Sequence, residues 1–137
     1  MNTDVEDSAD NPFGYAPQVW RLFNTAPQAG EFIAEAPGVV SGQAGTPAAR
    51  SVLRLQLQFV HGAVAEARFR AYGCPTSIAV GAWIAEWAQG KTVEELAALT
   101  AKRLRSELEI PDDRAHCALL GEDALRAALA HLKQEKT

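Results

Sequence analysis

Two neighbouring segments of alternating apolar and polar residues constrain the fold of this chain most strongly. In residues 53–59 every second side chain is apolar, and in residues 65–71 small or aromatic side chains alternate with charged ones. A period of two places the apolar side chains on one face of a strand. The dipeptide His61-Gly62 lies between the segments and is typical of a turn. The sequence therefore predicts an antiparallel hairpin with one solvent-exposed face.

Residues 25–51 are rich in loop-forming residues, but residues 38–41 can start a further strand.

Helical patterns lie on both sides of this hairpin. The spacing of apolar residues, prolines and capping residues predicts helices over residues 17–23, 75–89, 92–95, 101–108 and 123–132. The last of these is amphipathic. A small antiparallel sheet of about three strands packed against several α-helices is an α+β fold.

Length and charge limit the class of protein. A chain of 137 residues with 47% apolar residues fits one globular domain. Residues 1–12 are acidic and lack periodicity, so we expect a disordered leader followed by a domain over residues 13–137. Since no apolar run reaches about 20 residues and the start is unlike a signal peptide, we expect a cytoplasmic protein. A net charge of −4, without basic clusters among aromatics, excludes nucleic acid and membranes as partners.

Two cysteines are the main candidates for chemistry. Cytoplasmic thiols are kept reduced, so Cys74 and Cys117 are expected to be free thiols or ligands rather than a disulfide. Because Pro75 starts a predicted helix, Cys74 falls at its N-cap, where free backbone N–H groups and the helix dipole stabilise a thiolate. The sequence therefore predicts a lowered pKa for Cys74.

His116 and Cys117 form an adjacent pair of potential metal ligands. Neighbouring residues on a regular helix point about 100° apart, so both can reach one ion only at a helix start or in a turn. Pro111 followed by two aspartates supplies such a start. Two thiolates and an imidazole suit zinc or an iron–sulfur unit rather than magnesium or calcium. On spacing alone, Cys74, His116 and Cys117 can equally be core residues.

Three segments carry a resemblance to a known family. They are Tyr72-Gly-Cys-Pro-Thr-Ser-Ile-Ala-Val-Gly-Ala-Trp-Ile-Ala-Glu-Trp87, Gln89-Gly-Lys-Thr92 and Arg114-Ala-His-Cys-Ala-Leu-Leu-Gly-Glu-Asp-Ala-Leu-Arg-Ala-Ala-Leu-Ala130. In order and spacing they strongly resemble the IscU/NifU N-terminal iron–sulfur cluster scaffold family. Looser similarity upstream extends the resemblance to about residues 15–132. It implies an IscU-like fold.

The resemblance also implies a metal site. In this family three cysteines and a histidine lie at one exposed end of the domain, with an aspartate nearby. Cys74 matches the second cysteine, and His116 and Cys117 match the His-Cys pair. The first ligand loop departs from the family pattern, because Ala49 and Ser51 stand where the family has cysteine and aspartate. A methyl group cannot coordinate iron, and a neutral hydroxyl is a poor substitute for a carboxylate.

The function implied by the resemblance is that of a scaffold or carrier, not an enzyme. It would bind iron or a [2Fe-2S] cluster, accept sulfur from a cysteine desulfurase and pass the cluster to apo iron–sulfur client proteins. Cys117 is the predicted sulfur acceptor. With three protein ligands, the fourth would come from solvent, a small thiol, a partner or a second subunit, which leaves a homo-oligomer open.

Two alternatives come from other classes. One is a degenerate scaffold that binds zinc or no metal and acts as a partner or regulator of the sulfur-transfer machinery. The other is a thiol enzyme with Cys74 as nucleophile. The enzyme alternative lacks an identifiable base within the motif, because the family pattern assigns His116 to the metal site.

Overall fold

A computed structural model describes residues 14–33, 36–46, 48 and 50–136. The expected leader over residues 1–12 and Ala49 lie outside these residues. The elements in chain order are α1 (Pro17–Thr25), β1 (Val39–Thr46), β2 (Ser51–Val60), β3 (Ala63–Tyr72), α2 (Pro75–Ala88), α3 (Val93–Ala97), α4 (Ala101–Leu108), a 3₁₀ turn (Asp112–Arg114) and α5 (Ala115–Lys136). The three strands form one antiparallel sheet in the order β1-β2-β3. The predicted α+β class is confirmed.

The hairpin of β2 and β3 forms around the predicted turn. Leu53, Leu55 and Leu57 are fully buried, as the period of two requires. A register shift at Gln58/Phe59 changes the pattern in β3, because Gln58 pairs with Glu66 and Phe59 pairs with Val64. The intervening Ala65 is an extra, exposed residue, and Val64 is buried in its place. The expected alternation is therefore wrong at the start of β3.

Strand β1 is longer than the sequence indicated. Residues 42–46 read as loop because of their glycines, yet they pair along β2 from Leu55 to Ser51. A Cβ on Gly42 would collide with the backbone of Ala124 and Ala128 in α5. The glycine is therefore needed for close approach of a helix to the strand, not for a loop.

Helix α5 is also longer than predicted, since it begins at Ala115 rather than near residue 123. Gly121 lies inside it, where an added Cβ would meet the side chains of Val80 and Ile84 in α2. Close packing of the two helices explains a glycine that costs helix propensity. Near the end of α5, His131 accepts a hydrogen bond at Nδ1 from the Ser41 N–H across 3.0 Å, which ties the helix to β1.

Helices α2 and α5 pack against each other and against the sheet. Val80 and Ile84 of α2, Leu125 of α5 and the leucines of β2 are buried together in one hydrophobic core. Because Cys74 immediately precedes α2 and Cys117 lies in the first turn of α5, the packing of these two helices decides where the cysteines meet.

Candidate thiol site

Cys74 lies where β3 passes into α2. It is the N-cap residue of α2, with φ −81° and ψ 167°, and Pro75 occupies the first helical position, as the sequence predicted. The preceding Gly73 has φ +152°, which favours glycine. A Cβ on Gly73 would lie 2.7 Å from Ser77 Oγ and 3.4 Å from Ser51 Oγ. The glycine therefore allows the chain to turn into the helix within a crowded corner.

Cys117 lies in the first turn of α5, just after the 3₁₀ turn that follows Pro111. It is fully buried, whereas Cys74 is partly exposed, and both are free thiols. Although 43 positions separate the two residues, their Sγ atoms lie 3.6 Å apart. We call Cys74 and Cys117 the thiol pair. Its sulfur separation is close to the roughly 4 Å expected for thiolates that share a metal at bond lengths of about 2.3 Å.

Ser77 is a neighbour of the thiol pair that the sequence analysis missed. Its Oγ lies 3.5 Å from Cys74 Sγ and donates a hydrogen bond to the Cys74 carbonyl across 3.0 Å. Ser77 stands three residues after the N-cap, the position from which side chains reach back to a helix start. That spacing is the signal by which it could have been found.

The thiol pair shares one proton unequally. The hydrogen bond from Cys117, aided by Ser77 and by backbone groups, lowers the pKa of Cys74 to about 4, although burial opposes the shift. The same hydrogen bond, together with burial, raises the pKa of Cys117 above its ordinary value. The two shifts favour the thiolate on Cys74 and the proton on Cys117. The direction for Cys74 agrees with the sequence prediction, but its first cause is Cys117 rather than the helix start.

His116 lies next to Cys117 but on the exposed surface. Within the part of the chain that the structure describes, no three His, Cys, Asp or Glu side chains come together closely enough to hold a metal ion. The structure thus brings Cys74 and Cys117 together without placing His116 beside them. The roughly 100° between neighbours on a helix accounts for the separation. A metal site of all three residues stays a prediction.

Comparison with known proteins adds the family. The model of the NifU-like N terminal domain matches residues 14–137. The chain belongs to this family. The NifU-like chain is 34% identical over 123 residues to the iron-sulfur cluster assembly scaffold protein IscU of Escherichia coli K12, which covers 89% of this chain and 96% of that protein. It is also 32% identical to iron-sulfur cluster assembly protein 3 of Arabidopsis thaliana, and the alignment covers 89% of this chain and 72% of that protein.

Solved structures share the fold of this NifU-like chain. A NifU-like N-terminal protein from Brucella abortus superposes with a TM-score of 0.65 at 18% identity, covering 86% of this chain and 93% of that one. A putative SUF-system scaffold protein from Fervidobacterium islandicum superposes with a TM-score of 0.63 at 20% identity, and the match covers 84% of this chain and 96% of that one. Among the described residues, none of the helices has the length and apolar character needed to cross a membrane.

Two further residues of the NifU-like domain surround the thiol pair. Ser51, which stands where the family pattern has aspartate, begins β2 and places its Oγ next to Gly73. Arg114 precedes α5; its charge acts to lower the pKa of Cys117 against the larger opposing effects. The Arg114 guanidinium also lies 4.3 Å from the centroid of the Tyr15 ring, which links the segment just before α1 to the start of α5.

Proposed function

We propose that this chain is a scaffold for iron–sulfur cluster assembly, with the thiol pair as the place where sulfur and iron are gathered. One observation carries the proposal: two free thiols from distant positions lie 3.6 Å apart at the starts of two packed helices. The matching length of the curated relatives named as scaffolds supports it, since the chain spans 96% of the Escherichia coli protein.

The thiol pair suits iron as cargo because two sulfurs at this separation can bind one metal ion together. The lowered pKa of Cys74 favours its thiolate at neutral pH, and metal binding would displace the proton of Cys117. His116 would supply a third ligand if its imidazole turned towards the pair at the start of α5. The fourth ligand would come from solvent, a small thiol, a partner or a second subunit. The cargo proposed is iron or a [2Fe-2S] cluster, and zinc suits the same ligands.

The proposed partners are a cysteine desulfurase as sulfur donor and apo iron–sulfur proteins as clients. The sequence predicted Cys117 as the sulfur acceptor. Its complete burial, however, favours the partly exposed Cys74 as the first sulfur that a partner meets. A thiolate is also the nucleophile in sulfur exchange. We therefore propose that Cys74 receives sulfur first.

The alternative is a regulator of the sulfur-transfer machinery that binds zinc or no metal. It rests on Ala49 and Ser51, which replace a cysteine and an aspartate of the family pattern. The thiol pair argues against the version that binds no metal, because both cysteines keep a separation suited to a shared metal.

Anaerobic reconstitution with ferrous iron and sulfide tests the proposal. The wild-type chain is expected to bind both and to develop visible absorption, whereas Cys74→Ala and Cys117→Ala should lose most of the bound iron. His116→Asn is compared with His61→Asn, a control on the exposed hairpin turn. Only His116→Asn should lower the iron content. Iron and sulfide in the wild type no higher than in a Cys74→Ala/Cys117→Ala double variant would refute the scaffold proposal.

A further inference from the structure

The thiol pair has a property that metal binding does not use. The whole chain contains two cysteines. One is partly exposed and the other fully buried, and their Sγ atoms lie 3.6 Å apart without a bond between them. A sulfur atom carried by the exposed residue therefore has a second thiol of the same chain within reach.

We propose that the thiol pair itself releases sulfide from a persulfide: Cys117 attacks a persulfide formed on Cys74, which gives a Cys74–Cys117 disulfide and free sulfide. The inference rests on the proposed function in one respect, that sulfur reaches Cys74. It makes the chain a source of sulfide, not only a carrier of sulfur.

Atoms and electrons balance within the chain. Cys117 Sγ forms a bond to Cys74 Sγ, and the bond between Cys74 Sγ and the terminal sulfur breaks, with its electron pair leaving on the terminal sulfur. Cys117 gives up its proton to solvent as it attacks, and the terminal sulfur, which leaves on the exposed side, takes up a proton from solvent and departs as HS⁻. Cys117 Sγ is oxidised and the terminal sulfur is reduced. A dithiol reductant must then reopen the disulfide before another cycle.

The placement of the two residues suits this direction of attack. Attack on a disulfide-like bond needs the attacking sulfur close to the inner sulfur, and 3.6 Å is near the distance at which oriented groups react. In-line displacement puts the leaving sulfur on the side opposite the attacker. Because Cys117 is on the buried side of Cys74, the leaving sulfide points towards the exposed side.

Burial also protects the reaction from competition. Cys117 is fully buried, so external thiols and oxidants reach Cys74 before they reach Cys117. A metal ion held by both sulfurs would occupy the attacking thiol. Sulfide release is therefore a reaction of the metal-free chain.

The experiment uses the full chain, reduced, kept anaerobic and treated with a chelator. Inorganic polysulfide loads the persulfide, excess reagent is removed, and released sulfide is measured by colorimetry. Thiols are blocked at intervals for mass spectrometry of the intact chain and its peptides. The wild type is expected to release one sulfide per disulfide formed, with peptides containing Cys74 and Cys117 linked.

Cys117→Ala is expected to retain the persulfide on Cys74 and to release sulfide about 100-fold more slowly, because the oriented neighbouring thiol is lost. Cys117→Ser provides a second variant with an isosteric side chain and should behave alike. Equal release by wild type and both variants, or a wild-type persulfide that persists, would overturn the inference.

A second arm replaces polysulfide by a cysteine desulfurase and cysteine, which separates the two proposals. If sulfide and disulfide form after loading with polysulfide but not with the desulfurase, the inference is supported and the desulfurase is not the sulfur donor. Loading by the desulfurase without sulfide or disulfide would support sulfur acceptance and overturn the inference.

Discussion

Gly42 of β1 lies against the backbone nitrogen of Ala128 in α5, so closely that a Cβ on Gly42 would collide with it. The contact holds the long helix directly on the sheet. Since α5 carries Cys117 in its first turn, this approach contributes to the position of the buried half of the thiol pair.

Gly42→Ala should therefore destabilise the protein. The collision involves backbone atoms that cannot rotate away, and we expect a loss of about 3 kcal/mol in the free energy of unfolding. Urea unfolding followed by circular dichroism measures it. Gly62→Ala is the control, because an added Cβ there meets nothing within 4 Å and the cost comes only from φ +83°, about 1 kcal/mol. Equal losses in the two variants would contradict the packing argument.

The pH dependence of Cys74 alkylation should reveal the shared proton. The pKa of Cys74 is lowered to about 4, so the thiolate is present above that pH and is lost as the pH falls through it. Iodoacetamide should label Cys74 of the folded chain at pH 6, where an ordinary thiol is protonated and unreactive.

Cys117→Ala removes the hydrogen bond that is the first cause of this shift. The midpoint of the Cys74 alkylation rate should then move to higher pH. Peptide mass spectrometry at a series of pH values gives both profiles. Superimposable profiles of wild type and variant would mean that Cys117 does not lower the pKa of Cys74.

Restoring the first ligand loop should improve loading. Ser51 lies beside Gly73, next to Cys74, so Ser51→Asp would place a carboxylate near the thiol pair, and Ala49→Cys would add the missing sulfur ligand of the family pattern. We expect the double variant to bind more iron and sulfide per chain after anaerobic reconstitution.

A matched control makes the same two changes elsewhere. Ala97→Cys with Ser106→Asp adds a cysteine and a carboxylate at exposed positions of α3 and α4. Its iron and sulfide content should equal that of the wild type. A restored-loop variant that gains nothing over this control would argue that the loop is not a ligand loop.

Sulfur labelling decides between the two candidate acceptors. With a cysteine desulfurase and cysteine, blocking of the thiols at the earliest times should trap added sulfur on Cys74, because Cys74 is the partly exposed thiolate. Cys74→Ser should abolish the early adduct more completely than Cys117→Ser. An adduct found first on Cys117 would instead support the acceptor predicted from the sequence and would require the start of α5 to open.

Much of the fold was predictable because its local patterns are strong. Residues 53–59, which alternate between apolar and polar, lie in β2, and the helix predicted from residue 92 begins with a capping box of Thr92 and Glu95. Pro75 places Cys74 at the N-cap of α2 through local sequence alone. Residues near each other in sequence decide these features, so the sequence is sufficient for them.

The sequence misled where tertiary packing overrides local preference. The sequence places Gly42 in a loop, and Gly121 lies before the start predicted for the last helix. Both positions need glycine because another element packs so closely that an added Cβ would collide with it. Ala65 faces outward because the register shifts at Gln58/Phe59, which depends on how β2 and β3 pair. Such crowding has no signature within a short window of sequence.

For the site, the sequence by itself determined which groups are available: two thiols, one at a helix N-cap and one next to a histidine. Only the tertiary structure decided that Cys74 and Cys117 lie within 3.6 Å, that Cys117 is the buried member and that His116 is exposed. The pKa of Cys74, the burial of Cys117 and the distance between their Sγ atoms all depend on how α2 packs against α5. The two cysteines are 43 positions apart, so their spacing in the sequence does not predict that packing.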